Sequence, residues 1–312
     1  MTQRTVKIGP SVLIVLLGHA FIPLLFILQM FRGYPHDSIA WILSLYIAGG
    51  YTLFIYLAGA WSWLGNFSRG SLPVILIIVA VATSPHDFSG VTAVQLLSFE
   101  SILSLCIGTA FVVLAVQACL GRWLHMPGLD LAFPLRDGTY SIAQGGSRQI
   151  VNIHFKNMSQ RYGMDILKIN RFGFRASGVY PADPNKYSIF GAEVVSPCDG
   201  VVGCAQDGFP DFPPPERDPE HRAGNYIALE SRGATIYFAH LQQGSVRVRA
   251  GDHVHTGQVL GLVGNSGNTT EPHLHIHAEE GGYPGHFSGN PGIPIRFNGK
   301  FFVRNDQVRI PI

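Results

Sequence analysis

The sequence predicts two kinds of fold in one chain. Residues 1–124 read as an α-helical transmembrane region with three to four helices, and residues 125–312 as an all-β domain of antiparallel sheets in a flattened, barrel-like form. Three observations lead there. Charge is unevenly spread, with almost none between residues 8 and 120 and an ordinary soluble complement between 130 and 312. The first part holds apolar runs near the roughly 20 residues that a bilayer span requires. The second part is a series of short apolar segments broken by turn residues, and no convincing amphipathic helix interrupts them.

A chain of 312 residues suits two domains of ordinary size. Hydrophobic residues make up 47% and charged residues 13%, and the formal net charge is +2. With no long Lys/Arg run, this balance excludes a nucleic-acid or other polyanionic partner. Of the four cysteines, Cys106 and Cys119 lie in an apolar run. Cys198 and Cys204 flank Asp199-Gly200, a two-residue hairpin signal. With that turn, Cys198 pairs with Val201 and Cys204 faces Val195, so the two thiols are not opposite each other and a disulfide is not expected. All four read as packing residues.

The apolar runs are Ser11 to Phe31, Ser38 to Leu64, Leu72 to Thr83 and Val91 to Leu120. The first is not a cleavable signal peptide, because of its length and the runs that follow. The third is short and bounded by Pro73 and Pro85, which makes it a thin span or a re-entrant piece. Trp61, Trp63 and Trp123 lie near run ends, where they are either interfacial anchors or packing residues. His19 and Glu100 are the notable polar residues inside the runs. A transport path would want paired acids or a basic relay, and the runs contain neither. Four crossings would put Arg4, Lys7, Arg69 and Arg122 on the side of the C-terminal domain and Arg32 on the other, a bias that points to the cytoplasm for that domain. Three crossings would put it outside.

Residues 121 to 131 form the exit and linker. Strands are then expected at Ile150–Phe155, Val194–Pro197, Val201–Cys204, Tyr226–Leu229, Thr235–Ala239, Val246–Val248, Val259–Val263 and His273–Ala278. Asp207 to Gly224, rich in Pro, Asp and Arg, reads as a loop inserted in a hairpin. The stretch RAGDHVHTGQVLGLVG, residues 249 to 264, combines turn glycines at Gly251 and Gly257 with core residues Val254, Val259 and Leu260. Lipoyl-type carrier domains share such a pattern, but they need a modifiable Lys at the hairpin tip and none is present in this stretch.

The chemistry concentrates in three places. Alternation on a strand puts His273, His275 and His277 on one face. His240 ends another strand, and Asp165 offers a carboxylate among apolar residues. Each alone reads better as a hydrogen-bonded strand end; together they are the side-chain types that bind and flank a catalytic metal.

The motifs GNSGNTTEPHLHIHAE (264–279), TIYFAHL (235–241), GDHVHTGQVLGLVG (251–264) and GAEVVSPCDGVV (191–202) occur in the order found in the lysostaphin-like (LytM, M23) zinc metallopeptidases, and this part of the chain resembles that family from about Gly145 to Glu280. Phe238 stands where the family's strand has Tyr. The resemblance implies a β fold of the duplicated-hybrid type, a Zn2+ cofactor, Asp165 and His275 as metal ligands, and His240 and His273 as catalytic imidazoles. It implies peptidoglycan peptides or another small peptide as substrate, with the lipid bilayer as the partner of the first half and the cell (inner) membrane as location. A wall enzyme needs its peptidase domain outside the cytoplasm. His277 has no standard role in the family and is expected next to a ligand. His253 and His255 are expected at the surface.

The sequence departs from the family at its first motif, His-x-x-x-Asp. Four residues before Asp165 stands Arg161, which stays protonated and cannot be an ordinary zinc ligand. His154 is the candidate replacement. In a hairpin that pairs Lys156 with Arg161, Asn152 faces Asp165 and His154 lies diagonal to it, about 7–8 Å away at Cα. A one-residue slip would turn His154 to the other face. If the ligand is instead missing, the expected function is that of a metal-poor regulatory domain that positions or activates another cell-wall hydrolase.

Overall fold

The computed structural model describes residues 10–32, 38–88, 91–123, 126–283 and 289–311. Arg4 and Lys7 of the charge-bias reading lie outside the described residues, as do Leu124 and His125 of the linker. The chain divides into two compact units, Met1–Cys119 and Leu120–Ile312.

Among the described residues of the first unit, four helices are long and apolar enough to cross a membrane: Val12–Phe31, Ser38–Ala58, Gly65–Ala82 and Phe99–Leu120. The first widens into a π turn at Leu17–Phe21. Pro23 has no N–H to return to the carbonyl of His19, and the wider turn accommodates that loss. The imidazole of His19 is satisfied inside the unit: Nδ1 lies 2.9 Å from the Val15 carbonyl, and Nε2 accepts the Ala60 N–H at 2.9 Å. Trp61 is buried and donates to the Ile55 carbonyl, so it packs rather than anchoring at an interface, whereas Trp123 is exposed.

The third run is longer than its apolar residues suggest. Its helix begins at Gly65 and carries Pro73 inside. Polar side chains are accommodated in its first turns: Ser68 donates to the Leu64 carbonyl, and Arg69 lies 4.4 Å over the Tyr56 ring. The second helix ends at Ala58 rather than Leu64. The fourth run is split into Ala93–Leu96, with a capping box of Thr92 and Gln95, and Phe99–Leu120.

Among its described residues, the second unit is all β apart from short 3₁₀ turns. Its strands are β1 Leu129–Leu131, β2 Gly138–Gln144, β3 Met164–Ile169, β4 Glu193–Val195, β5 Gly200–Gln206, β6 Asn225–Ser231, β7 Ala234–Leu241, β8 His253–Val254, β9 Val259–Leu262, β10 Leu274–Glu280, β11 Gly292–Ile293, β12 Ile295–Phe297 and β13 Gln307–Ile310. Nine strands form one sheet in the order β13-β2-β3-β10-β7-β6-β5-β8, with β11 also paired to β10. Two small sheets, β1-β12 and β4-β9, accompany it. Side chains such as Ile142, Ile166, Ile227, Phe238, Leu260, Leu274 and Ile276 are fully buried in a shared core, and the arrangement is a flattened rather than a closed barrel.

Three expectations are corrected. Asp199-Gly200 does not join a hairpin, because β4 pairs with β9 while β5 pairs with β6 and β8. The chain changes sheets there, which a local turn signal does not reveal. Ile150–Phe155 is not a strand. Arg148 O accepts from both Val151 N and Asn152 N, and a 3₁₀ turn follows at Ile153–Lys156, so β3 pairs with β2 and β10 instead. Val246–Val248 runs beside β9 with Arg247 N donating to Leu260 O, but it does not form a ladder. The long loop Asp207–Gly224 does join the antiparallel pair β5 and β6.

The second unit has its own core and its own sheet, so residues 130–312 are expected to fold without the first unit. Expressed alone, they should give a monodisperse, β-rich protein that unfolds cooperatively in denaturant. Aggregation without detergent, alongside a folded full-length chain, is the opposite result.

Candidate functional site

The site is built on the β3–β10 ladder. Its register sets Asp165 directly opposite His275, so both side chains leave the same face of the sheet. His275 Nδ1 lies 2.8 Å from Asp165 Oδ1. On the far side of Asp165, β2 carries a bulge between Ile142 and Gln144, a feature that locally re-aims strands beside functional sites. Gly163, just before β3, has to be small: a Cβ there would meet His275 Cε1 at 3.2 Å and His277 Cβ at 3.4 Å.

His154 reaches the same carboxylate from the 3₁₀ turn rather than from a strand. Its Nε2 is 3.0 Å from both Asp165 oxygens, and its ring centroid is 4.6 Å from that of His275. The turn is held by Asn152, which is fully buried. Asn152 Oδ1 accepts the His154 N–H, and Nδ2 donates toward the carbonyls of Gly146, Arg161 and Gly163. Asn152 therefore does not face Asp165 as the hairpin register implied; it ties together the loop carbonyls that present His154. Arg161 is exposed, with its guanidinium 5.0 Å over the Phe155 ring.

One ligand atom from each of His154, Asp165 and His275 lies within 4.8 Å of the others. Proton counting shows what the cluster lacks. Asp165, His275, His277 and Glu279 make three successive close contacts, at 2.8, 3.0 and 3.3 Å. Each contact needs one proton, but two neutral imidazoles between two ionised carboxylates supply only two. The missing positive charge is either a third proton or a cation. Burial opposes the proton: it pushes His275 down to about 3 against the opposing hydrogen bond to Asp165, and it lowers His277. With His154 converging on the same carboxylate, the donor set fits a metal ion of the kind that imidazole and carboxylate ligands hold.

His240 and His273 flank this cluster. His240, the next-to-last residue of β7, has φ of 63°, a region few non-glycine residues occupy. Its Nδ1 is 2.9 Å from the Ser266 carbonyl, so the neutral ring carries its lone pair on Nε2. Burial, reinforced by His273 and His275, holds His240 well below the usual imidazole range. His273 Nδ1 is 2.9 Å from the Glu271 carbonyl, and its Nε2 is 3.5 Å from Asp165 Oδ1. Burial alone would lower His273, but Asp165 outweighs it and raises the group. Burial alone would raise Asp165, and His154 and His273 outweigh it, keeping the carboxyl well below its ordinary value. The two flanking rings are 4.9 Å apart.

All five predicted site residues, His154, Asp165, His240, His273 and His275, are thus brought together. His253 and His255 are exposed and outside the cluster. Sequence reasoning missed Glu279, although it continues the period-two alternation of His273, His275 and His277. It also missed the pair formed at 2.7 Å by Nε of the buried Arg175 and Oε2 of the half-buried Glu271, which fastens the segment leading into His273. Tyr180 donates to the neighbouring Thr270 carbonyl. No local pattern announces these contacts, because the partners are far apart in sequence.

Residues 186–286 match the model of Peptidase family M23. The second unit carries an M23 domain. The matched segment contains His240, His273 and His275 and begins after His154 and Asp165. A relative, peptidoglycan DD-endopeptidase ShyA of Vibrio cholerae serotype O1, is 39% identical over 62 residues, which is 20% of this chain and 14% of the relative. The chain therefore spans a small part of that relative's length. Among solved structures, the catalytic domain of lysostaphin from Staphylococcus simulans is similar at 18% identity, covering 52% of this chain and 85% of that one with a TM-score of 0.27. A peptidase M23 structure from Pseudomonas aeruginosa is similar at 20% identity, covering 53% of each chain with a TM-score of 0.28.

The turn that carries His154 depends on one buried amide. Asn152→Ala removes its hydrogen bonds and leaves buried carbonyls without a donor, an expected loss of about 1–3 kcal/mol. Urea unfolding of the variant should show a lower midpoint with an unchanged slope. An unchanged midpoint would remove Asn152 from this role.

Proposed function

We propose that the chain is a membrane-anchored zinc metalloendopeptidase of the M23 type that hydrolyses short peptide bonds, with peptidoglycan cross-link peptides as its substrate class. The observation that carries this reading is the convergence of His154, Asp165 and His275 on one point, with two further imidazoles beside it. The M23 match and the similarity to a peptidoglycan endopeptidase support the substrate class.

In this reading His154, Asp165 and His275 hold the zinc. When bound, zinc polarises a water molecule and lowers its pKa toward neutrality. The chain's own residues do the rest. His240, with Nδ1 tethered to the Ser266 carbonyl and the ring held neutral by burial, keeps an Nε2 lone pair that accepts a proton and returns it to the leaving amine, while His273, tethered to the Glu271 carbonyl and raised by Asp165, is the ring that favours the protonated form. Protonated, either ring stabilises the oxyanion that develops on the scissile carbonyl. Tethering both rings in advance lowers the cost of orienting them for each turnover. A second reading, a metal-poor regulatory domain acting on another hydrolase, rests on Arg161 at the family's ligand position.

Metal content separates the two. His275→Ala should lose zinc and activity together, whereas His240→Ala should lose most activity and keep its zinc. His154→Ala should weaken zinc binding about as much as His275→Ala, and Arg161→His in that background should restore part of it. If zinc content in His154→Ala equals that of wild type, His154 is no ligand. If the wild-type protein takes up no zinc under conditions that load ordinary relatives, the regulatory reading stands.

The side of the membrane is an independent test. Four crossings would leave Arg69 and Arg122 on the domain's side, and by the positive-inside bias this runs against an external domain. A wall enzyme nonetheless requires that side. A reporter fused after Ile312 is therefore expected to be active only outside the cytoplasm. An exclusively cytoplasmic signal would separate the peptidase from peptidoglycan and end the wall-hydrolase reading.

A further inference from the structure

We infer that the segment following the last apolar helix is a built part of the metal site rather than a free tether, because Gly121, Arg122, Trp123 and Met126 fasten both ends of the loop that presents His154. All of these residues belong to the second unit, which begins at Leu120. The contacts stand on their own; their consequence for zinc rests on the metal site proposed above. At the leading end of the loop, Ser147 N donates to the Gly121 carbonyl at 2.9 Å, and Ser147 Oγ donates to the Trp123 carbonyl at 2.8 Å. At the trailing end, the Tyr162 hydroxyl donates to Met126 Sδ at 3.4 Å. Arg122 reaches a third point, with Nη1 2.8 Å from Asp306 Oδ1.

Each of these points lies one step from the groups that place His154. Gly146, beside Ser147, lends its carbonyl to Asn152 Nδ2 at 3.0 Å. It is buried with φ of 114°, and a Cβ there would lie 3.0 Å from the Gly121 carbonyl oxygen, so the linker backbone passes directly over it. Tyr162 stands between Arg161 and Gly163, whose carbonyls are the other two acceptors of that amide. Asp306 accepts the Val303 N–H on its second oxygen, and inside that turn Arg304 N donates to the Gly145 carbonyl. Asn152 is therefore held among three carbonyls, each next in sequence to a residue that the linker grips. Asn152 Oδ1 in turn accepts the His154 N–H. Loosening the grip widens the range of positions open to His154 Nε2 beside Asp165, and a ligand that must be ordered on binding holds metal less tightly. Ser147 and Arg122 act in this scheme through Asn152 and are positioning residues, as groups that orient a metal ligand commonly are.

Full-length protein in detergent provides the test, with zinc as the probe. Ser147→Ala removes the hydroxyl contact to the linker and should weaken zinc binding roughly 3- to 10-fold in chelator competition, the worth of one hydrogen bond. Arg122→Gln, a milder change at a partly exposed side chain, should shift affinity the same way. In a His154→Ala background Ser147→Ala should cost nothing further, because the ligand it positions is gone. Wild-type affinity in both single variants would overturn the inference, as would an undiminished loss in the His154→Ala background. The second readout needs no metal. In zinc-free protein, the amides of Asn152, His154 and Phe155 are bonded to Arg148 O, Asn152 Oδ1 and Asn152 O. They should exchange with solvent faster in Ser147→Ala, while the β10 amides keep their wild-type rates. Unchanged exchange in the turn would overturn the inference, and so would equal acceleration in β10, which would mean a general loss of stability. If wild-type protein binds no zinc, the metal reading fails, and the exchange rates still decide whether the linker holds the turn.

Discussion

A carboxylate taken out of water in the middle of a β-sheet is the constraint around which the C-terminal unit is arranged. Asp165 lies between two strands with hydrophobic neighbours before and after it, and burying its charge without compensation would cost several kcal/mol. Three imidazoles approach it, His154 and His275 most closely and His273 at 3.5 Å. His275 is itself buried and His273 largely so, and each has a partner on its other nitrogen. The Glu271 carbonyl serves His273, and His277 serves His275. The polar network extends outward from the carboxylate until it reaches the backbone or Glu279.

The same need explains why so much of the surrounding loop structure is specific. Asn152 is wholly buried among carbonyls, and Arg175 is wholly buried against Glu271. Buried polar groups of this kind are costly when partly satisfied. Their role is to hold loops at fixed distances from the strands that carry Asp165 and His275. Positions near a charged centre then depend on residues that never touch it.

Much of this was legible in the sequence, for definite reasons. Period-two alternation on a strand correctly grouped His273, His275 and His277, and the uneven charge distribution separated the helical from the β part. What was not legible was long-range or locally ambiguous. Ile150–Phe155 alternates like a strand, yet Asn152 prefers to cap a turn, and Ile153 is left exposed. His154 met Asp165 even though the hairpin invoked to bring it there does not exist. The apolar pattern starts the third run at Leu72, whereas its helix starts at Gly65, and there Ser68 bonds back to the preceding turn and Arg69 lies over an aromatic ring.

The position of His154 bears on how a family ligand position can come to hold arginine. In the proposed site, a third ligand need only bring one imidazole nitrogen to the free side of Asp165; nothing requires it to come from the strand approach at residue 161. A short turn before β3 does so when its first residue is anchored, and Asn152 anchors it to the carbonyls of Gly146, Arg161 and Gly163 at once. Two of those carbonyls belong to the segment that leads into β3. The backbone at position 161 thus still supports the centre by accepting a hydrogen bond, while its side chain lies out over Phe155. Arg161 is compatible with a metal centre on this geometry because the demand on that position has moved from the side chain to the main chain.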